Sequence, residues 1–240
     1  MNTPVLKILY EDNHLLVALK EPNVLTQGDK TGDPNLLDML KAYIKEKYDK
    51  PGDVYLGLVH RMDRPVGGVL CFARTSKAAA RLSQQLRENQ LRRDYVCVCT
   101  GQMPARFTLV DHLAKDEKTN TVKVVPSYLR LGKEAILHGR IIASVGDTTL
   151  LAIQLETGRA HQIRAQLSNA GWPIMGDHRY GGARKRGNIA LWGMRLTLAH
   201  PITGQSMVFL APPPMDNHFK PYQREIDGLA AIWPAVAPGE

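Results

Sequence analysis

Apolar residues along the chain fall mostly into short alternating or continuous runs broken by Gly, Pro, Asp and Asn, and only a few stretches repeat at helical spacing. Ile8 to Tyr10 and Leu15 to Leu19 read as two strands joined by the polar turn Glu11-Asp12-Asn13-His14. Asp33-Pro34 offers an N-cap with proline at the first helical position. Leu36, Leu37, Leu40, Tyr43 and Ile44 then recur at helical spacing, which predicts a helix to about Tyr48. Val54 to Val59 and Val69 to Phe72 read as neighbouring strands. Thr75 or Ser76 caps a second helix whose buried stripe is Ala78, Ala79, Leu82 and Leu86, with a basic opposite face.

Tyr95 to Cys99, Thr121 to Val125, Ala135 to Val145, Thr149 to Leu155, Ile189 to Leu198 and Met207 to Leu210 carry β-branched or alternating patterns. After Leu155 the pattern opens a third helix that Gly171 can end as its C′ residue. Ile163 and Leu167 face the core there, and His161, Arg164 and Ser168 share a polar stripe. Runs of strands with few helices predict an α+β architecture with a largely antiparallel sheet. The tail after Pro212, rich in Pro and Ala, is expected to pack over the surface or fray.

Charge sharpens this picture. Thirty-one Lys and Arg against twenty-three Asp and Glu give +8 over 240 residues, which favours polyanions, with nucleic acid first among them. Two basic clusters could track a phosphate backbone: Arg74, Lys77, Arg81, Arg87, Arg92 and Arg93, and then Arg179, Arg184, Lys185 and Arg186. The glycines around the second cluster lack P-loop spacing, so no ATP or GTP is expected. Cys71, Cys97 and Cys99 sit in apolar, strand-like surroundings and lack a second pair at zinc spacing. They predict buried thiols, a reducing compartment and no metal. No apolar run approaches eighteen residues, so a soluble, cytoplasmic protein without membrane contact is expected.

The candidate chemistry lies in the turn His60-Arg61-Met62-Asp63-Arg64-Pro65. A carboxylate flanked at i−2 and i+1 by guanidinium groups is favoured in its ionised form, so Asp63 is poised as a nucleophile or electrostatic group. A solvated hairpin turn is the bland reading of the same residues. Further along, Thr157-Gly158-Arg159-Ala160-His161-Gln162-Ile163-Arg164 places an arginine within a helix, where packing can fix its direction.

Taken together, His60 to Arg64 followed by Gly67-Gly68, Tyr95 behind Arg93, the run Thr157 to Arg164, and Gly171-x-Pro173-Ile174-x-Gly176-Asp177-x-x-Tyr180-Gly181 closely resemble the RNA pseudouridine synthases of the RluA type. The likeness takes in Tyr10-Glu11-Asp12, Lys20-x-Pro22 and His200-Pro201, and so covers nearly the whole chain. Departures are Met62, Gly67, Arg93 and Gln166, where Leu, Ser, Lys and His are common, and Glu21 and Asn23 around Pro22.

The resemblance implies a pseudouridine synthase fold: a mixed central sheet with flanking helices and a basic active-site cleft. It places the catalytic domain at residues 5–215 and the tail at 216–240, and leaves no room for an N-terminal S4 domain. The implied activity is isomerisation of uridine to pseudouridine in ribosomal or transfer RNA, by a monomer needing no cofactor. Asp63 matches the nucleophile or charge stabiliser, Arg164 the arginine that pairs with it, and Tyr95 the active-site tyrosine. Arg61 matches the arginine that occupies the vacated place in the RNA. Arg64, Arg159, His161, Arg92, Arg93, Arg184, Lys185 and Arg186 are further candidate RNA contacts. A catalytically degenerate RNA-binding or ribosome-assembly module is the alternative. A glycoside hydrolase ranks far lower, because the second motif holds only one acid, Glu156.

Overall fold

The computed structural model describes residues 6–181, 187–216 and 218–232. Among them are eleven strands and four α-helices, in two compact units. Unit 1 comprises Met1–Arg93 with Gly193–Ala211, and unit 2 comprises Asp94–Trp192 with Pro212–Glu240.

In unit 1, β1 (Lys7–Glu11) pairs antiparallel with β2 (Leu15–Lys20), as the two apolar runs and polar turn require. β2 pairs in turn with β4 (Gly67–Ala73). The run Val54 to Val59 shortens to a two-residue strand, β3 (Gly57–Leu58), which also pairs with β4 and so makes the intervening His60–Pro65 segment a connection between neighbouring strands. β10 (Leu191–Ala199) follows β4 in the strand order and carries β11 (Ser206–Leu210).

Helix α1 (Leu36–Lys47) begins two residues later than expected. Its cap is Asn35, whose side chain accepts from the Asp38 amide at 3.0 Å. Asp33 instead pairs with Arg64. Helix α2 (Ser76–Arg87) is capped by Thr75 as the sequence suggests, and such a cap contributes about 1 kcal/mol. Its Ala78 and Leu82 pack on Leu15, Val17, Val69, Cys71, Leu196 and Leu198. Burying each Leu there contributes about 2 kcal/mol.

Two motifs far from any reacting group find their reason here. Glu11 accepts from Tyr43, Tyr48, Lys47 and Arg74, which fastens α1 to the sheet. Burial pushes the Glu11 carboxyl up, but the bonds from Lys47, Tyr48 and Tyr43 bring it below its ordinary value. His200 bonds Asp12 through Nε2 at 2.8 Å while its Nδ1 faces the Thr203 amide at 3.1 Å. Gly68, at φ +140°, lies so near β10 that an added Cβ would meet Gly193 main-chain atoms at 2.4–2.6 Å.

Unit 2 is an antiparallel sheet in the order β5-β9-β8-β6-β7, where β5 is Arg92–Thr100, with Arg92 and Arg93 belonging to unit 1, β9 Thr148–Leu155, β8 Lys133–Val145, β6 Arg106–Asp116 and β7 Thr121–Val125. Helix α3 (Gln162–Asn169) ends in a Schellman motif. Trp172 N–H donates to Leu167 O at 2.8 Å and Gly171 N–H to Ser168 O at 3.0 Å, with Gly171 at φ +83°. The polar stripe expected on α3 meets Tyr180, with His161 Nδ1 2.8 Å from its hydroxyl, Ser168 Oγ donating to its carbonyl at 2.7 Å and the Arg164 guanidinium over its ring, although every residue from Gln162 to Leu167 is buried. The helix tolerates polar residues inside because they are bonded; the Gln166 amide, for one, donates to Leu109 O, Asp111 Oδ2 and Ala135 O. The segment after Pro212 forms a 3-10 turn (Lys220–Tyr222) and α4 (Gln223–Ile232), and contributes buried Phe219, Tyr222 and Ile226.

Candidate active site

Asp63 belongs to unit 1. The turn that carries it is held by its main chain. Lys20, fully buried, donates from Nζ to Val66 O at 2.6 Å, Arg64 O at 3.0 Å and Glu21 O at 3.2 Å. Thr26 Oγ1 donates to Met62 O at 3.0 Å and accepts from Met62 N–H at 3.2 Å. Asn23 N–H reaches Arg64 O at 2.8 Å, and Val66 N–H closes the turn on Asp63 O at 3.0 Å.

The two arginines beside Asp63 in the chain part company. Arg64 Nη1 lies 2.6 Å from Asp33 Oδ2 and its Nε donates to Asn23 O, whereas Arg61 is exposed. An unforeseen cation is Lys20. Burial pushes its ammonium down to about 7, opposed by the Asp63 carboxylate and, more weakly, by Glu21, while Arg64 adds to the fall.

His60, at the start of the turn, is interior. Its Nε2 accepts the Cys71 amide at 3.3 Å, and burial, with the charge of Arg93 second, pushes its pKa down to about 3. Of the first basic cluster, several members are structural. Arg93 is 8% exposed, so an arginine expected at phosphate is an interior cation beside His60. Arg74 pairs with Glu11 and stacks on Tyr48, and Arg81 donates to Pro201 O. Lys77, Arg87 and Arg92 remain exposed.

Tyr95 and Arg164 belong to unit 2. Tyr95 is 5% exposed on β5, opposite Ile153. Arg164 grips Asp177 with two bonds, Nε to Oδ2 at 2.8 Å and Nη2 to Oδ1 at 2.9 Å; the two side chains are 6% and 1% exposed. Its guanidinium also lies 5.0 Å from the Tyr180 ring centre. Asp177 in turn accepts from the amides of Arg179 and Tyr180, so the carboxylate is fixed by its own turn. The sequence placed Asp177 in a motif but gave it no role.

The run Thr157 to Arg159 is set by Gln162, whose Oε1 accepts from Thr157 Oγ1 at 2.8 Å and Arg159 N–H at 3.0 Å. Arg159 is exposed with Nε anchored on Glu134 O at 2.8 Å. His161 takes the left-handed conformation at φ 50° and meets the Tyr180 hydroxyl at 2.8 Å. Arg184, Lys185 and Arg186 lie outside the described residues. Among the described residues no group of three or more His, Cys, Asp or Glu is arranged to hold a metal ion. No helix among them is long and apolar enough to cross a membrane.

Two solved structures share this architecture: Human RNA Pseudouridylate Synthase Domain Containing 4, at TM-score 0.73 and 19% identity over 92% of this chain and 93% of that one, and Human RNA Pseudouridylate Synthase Domain Containing 1, at TM-score 0.70 and 19% identity over 100% of both. The fold is that of a pseudouridylate synthase domain, as expected. Residues 14–169 match the family model described as RNA pseudouridylate synthase. The ribosomal large subunit pseudouridine synthase D of Haemophilus influenzae is 32% identical over 228 residues, covering 88% of this chain and 68% of that protein. The uncharacterized RNA pseudouridine synthase YhcT of Bacillus subtilis is 34% identical over 216 residues, covering 88% and 70%. The chain belongs to the RNA pseudouridylate synthase family, in its RluA branch. It is an isomerase that converts uridine in RNA to pseudouridine.

Proposed function

We propose that this enzyme isomerises uridine in large-subunit ribosomal RNA and that Asp63, Tyr95 and Arg164 carry the reaction. The N1–C1′ glycosidic bond of the target uridine breaks, the base turns, and C5 joins C1′ while the C5 proton is released to solvent and N1 takes up a proton in its place. No atom is gained or lost overall and no electrons are exchanged, so the chemistry needs no nucleotide cofactor. The observation that carries the assignment is the family match over residues 14–169, which includes all three residues. The ribosomal target is supported by relatives named for the large subunit.

Asp63 acts as an anion on the everted uridine, and Arg164 is its guanidinium partner, a role suited to a planar donor already oriented by Asp177. Extruding a base costs a few kcal/mol and stacking it on an aromatic ring recovers about 1–3 kcal/mol, which is the part given to Tyr95. Arg61, exposed next to the clamped turn, fills the place the uridine leaves. Arg64, Arg92, Arg159 and His161 contact the RNA around it. The enzyme works as a monomer in the cytoplasm, a compartment supported by three buried free thiols, of which Cys71 is pushed up to about 12 by burial.

The decisive measurement is single-turnover tritium release from RNA carrying 5-tritiated uridine. Asp63→Asn is expected to abolish release while RNA affinity stays within about threefold, since a neutral amide of equal size keeps the shape of the turn. Release near the wild-type rate would remove Asp63 from the chemistry.

A further inference from the structure

The loop 126–132 joins β7 to β8 and carries an unusual tip. Tyr128 is 80% exposed, Leu129 45% and Leu131 71%, whereas apolar side chains grouped this way on a folded surface mark contact sites. The exposure is built in. Ser127–Leu129 is a 3-10 turn, with Leu129 N–H on Pro126 O at 3.2 Å and Arg130 N–H on Ser127 O at 3.1 Å, and Arg130 takes the left-handed conformation at φ 53°. At the base of the loop, an added Cβ on Gly132 would meet Val125 Cγ2 at 2.8 Å and His112 at 3.0–3.1 Å, so the chain passes tightly over β6, which lies between β7 and β8.

The setting of the tip is positive. From residue 123 to residue 134 the chain holds Lys123, Arg130 and Lys133 against the single carboxylate of Glu134. The main-chain oxygen of Glu134 is also where the exposed Arg159 is anchored, at 2.8 Å. A ring standing in solvent among guanidinium and ammonium groups matches the chemistry of an unpaired nucleotide, with a π-face for the ring and a phosphate for the cations. A purely apolar protein partner would leave those cations without counter-charge.

We propose that the tip of this loop is a second RNA contact, in which Tyr128 stacks on an unpaired base of the substrate and Arg130 and Lys133 meet the adjoining phosphates. The nucleotide it takes is one other than the uridine isomerised, so the loop contributes to the choice of site and not to the chemistry. The proposal rests on the assignment of an RNA substrate made above.

The test compares full-length wild type with Tyr128→Ala and Tyr128→Phe. Two quantities are read: affinity for a large-subunit ribosomal RNA transcript carrying 5-tritiated uridine, by filter binding, and tritium release at saturating protein. Tyr128→Ala is expected to weaken binding by roughly five- to a hundredfold, the worth of one stacked base. Tyr128→Phe should stay within about twofold, because the ring and not the hydroxyl stacks. Release at saturation and the melting temperature should be unchanged in both, since the residue is exposed and outside the reacting groups. Binding by Tyr128→Ala at the wild-type level would overturn the proposal and leave the tip to a protein partner. Absence of tritium release by the wild type would instead fail the assigned reaction or target, while the affinity ratio would still decide the role of the loop.

Discussion

Replacing Asp177 with Ala removes the carboxylate that receives two N–H groups of Arg164 at 2.8 and 2.9 Å. Both side chains are almost fully withdrawn from water, at 6% and 1% exposure, so solvent cannot replace the lost acceptor. Breaking a buried pair by deleting one partner typically costs about 3–5 kcal/mol, mostly the penalty of an interior charge that loses its paired carboxylate. For a chain of this length each kcal/mol moves the melting temperature by about 2–4 °C, so Asp177→Ala should melt roughly 6–20 °C below wild type. The companion variant, Arg164→Met with Asp177→Asn, removes both charges at similar volume, keeps an oxygen for the Arg179 and Tyr180 amides, and should recover part of the loss. Calorimetry of the three proteins at one pH and salt concentration measures both differences. A melting point for Asp177→Ala within 2 °C of wild type would refute the reasoning, as would a double variant less stable than the single one.

Two further predictions follow from unit 1. His60 has a folded pKa of about 3 against an ordinary 6.5, so between those values the unfolded chain binds a proton that the folded chain refuses. Its contribution to stability is therefore complete above pH 6.5 and is lost as the pH falls toward 3; His60→Gln should flatten that slope, and an imidazole resonance of His60 titrating near 6.5 would contradict the assignment. Gly68→Ala should destabilise by at least about 3 kcal/mol, because the methyl would enter the Gly193 main chain in a backbone conformation strained for alanine, whereas Gly52→Ala, with open space around it, should be near neutral in the same denaturant titration.

What could be seen in the sequence was whatever local pattern controls. Thr75 caps α2 and Gly171 ends α3 because caps and left-handed turns are decided within a few residues. β6 escaped notice because its residues alternate between exposed and half-buried positions for most of Arg106–Asp116 and never form a clear apolar stripe. α4 was hidden by Gly228 within it and by the proline-rich stretch before it. In the candidate site, the motif residues named Asp63, Tyr95 and Arg164, yet the supports are long-range partners with no local signature. Lys20 meets Val66 across 46 positions, and Asp177 meets Arg164 across 13. Residues that look alike in sequence also part company: Arg93 goes to the interior while its neighbour Arg92 stays in solvent.

Lys20, Thr26 and Asn23 bond the 62–66 segment through its carbonyl oxygens and peptide N–H groups. Main-chain bonds of that kind survive a change of side chain at the positions that supply them. Engineers seeking a uridine-modifying enzyme with altered reach could therefore vary position 61, which is exposed and outside those bonds, and keep Lys20, Thr26 and Asn23 in place, so that the contact with RNA changes while its mounting does not.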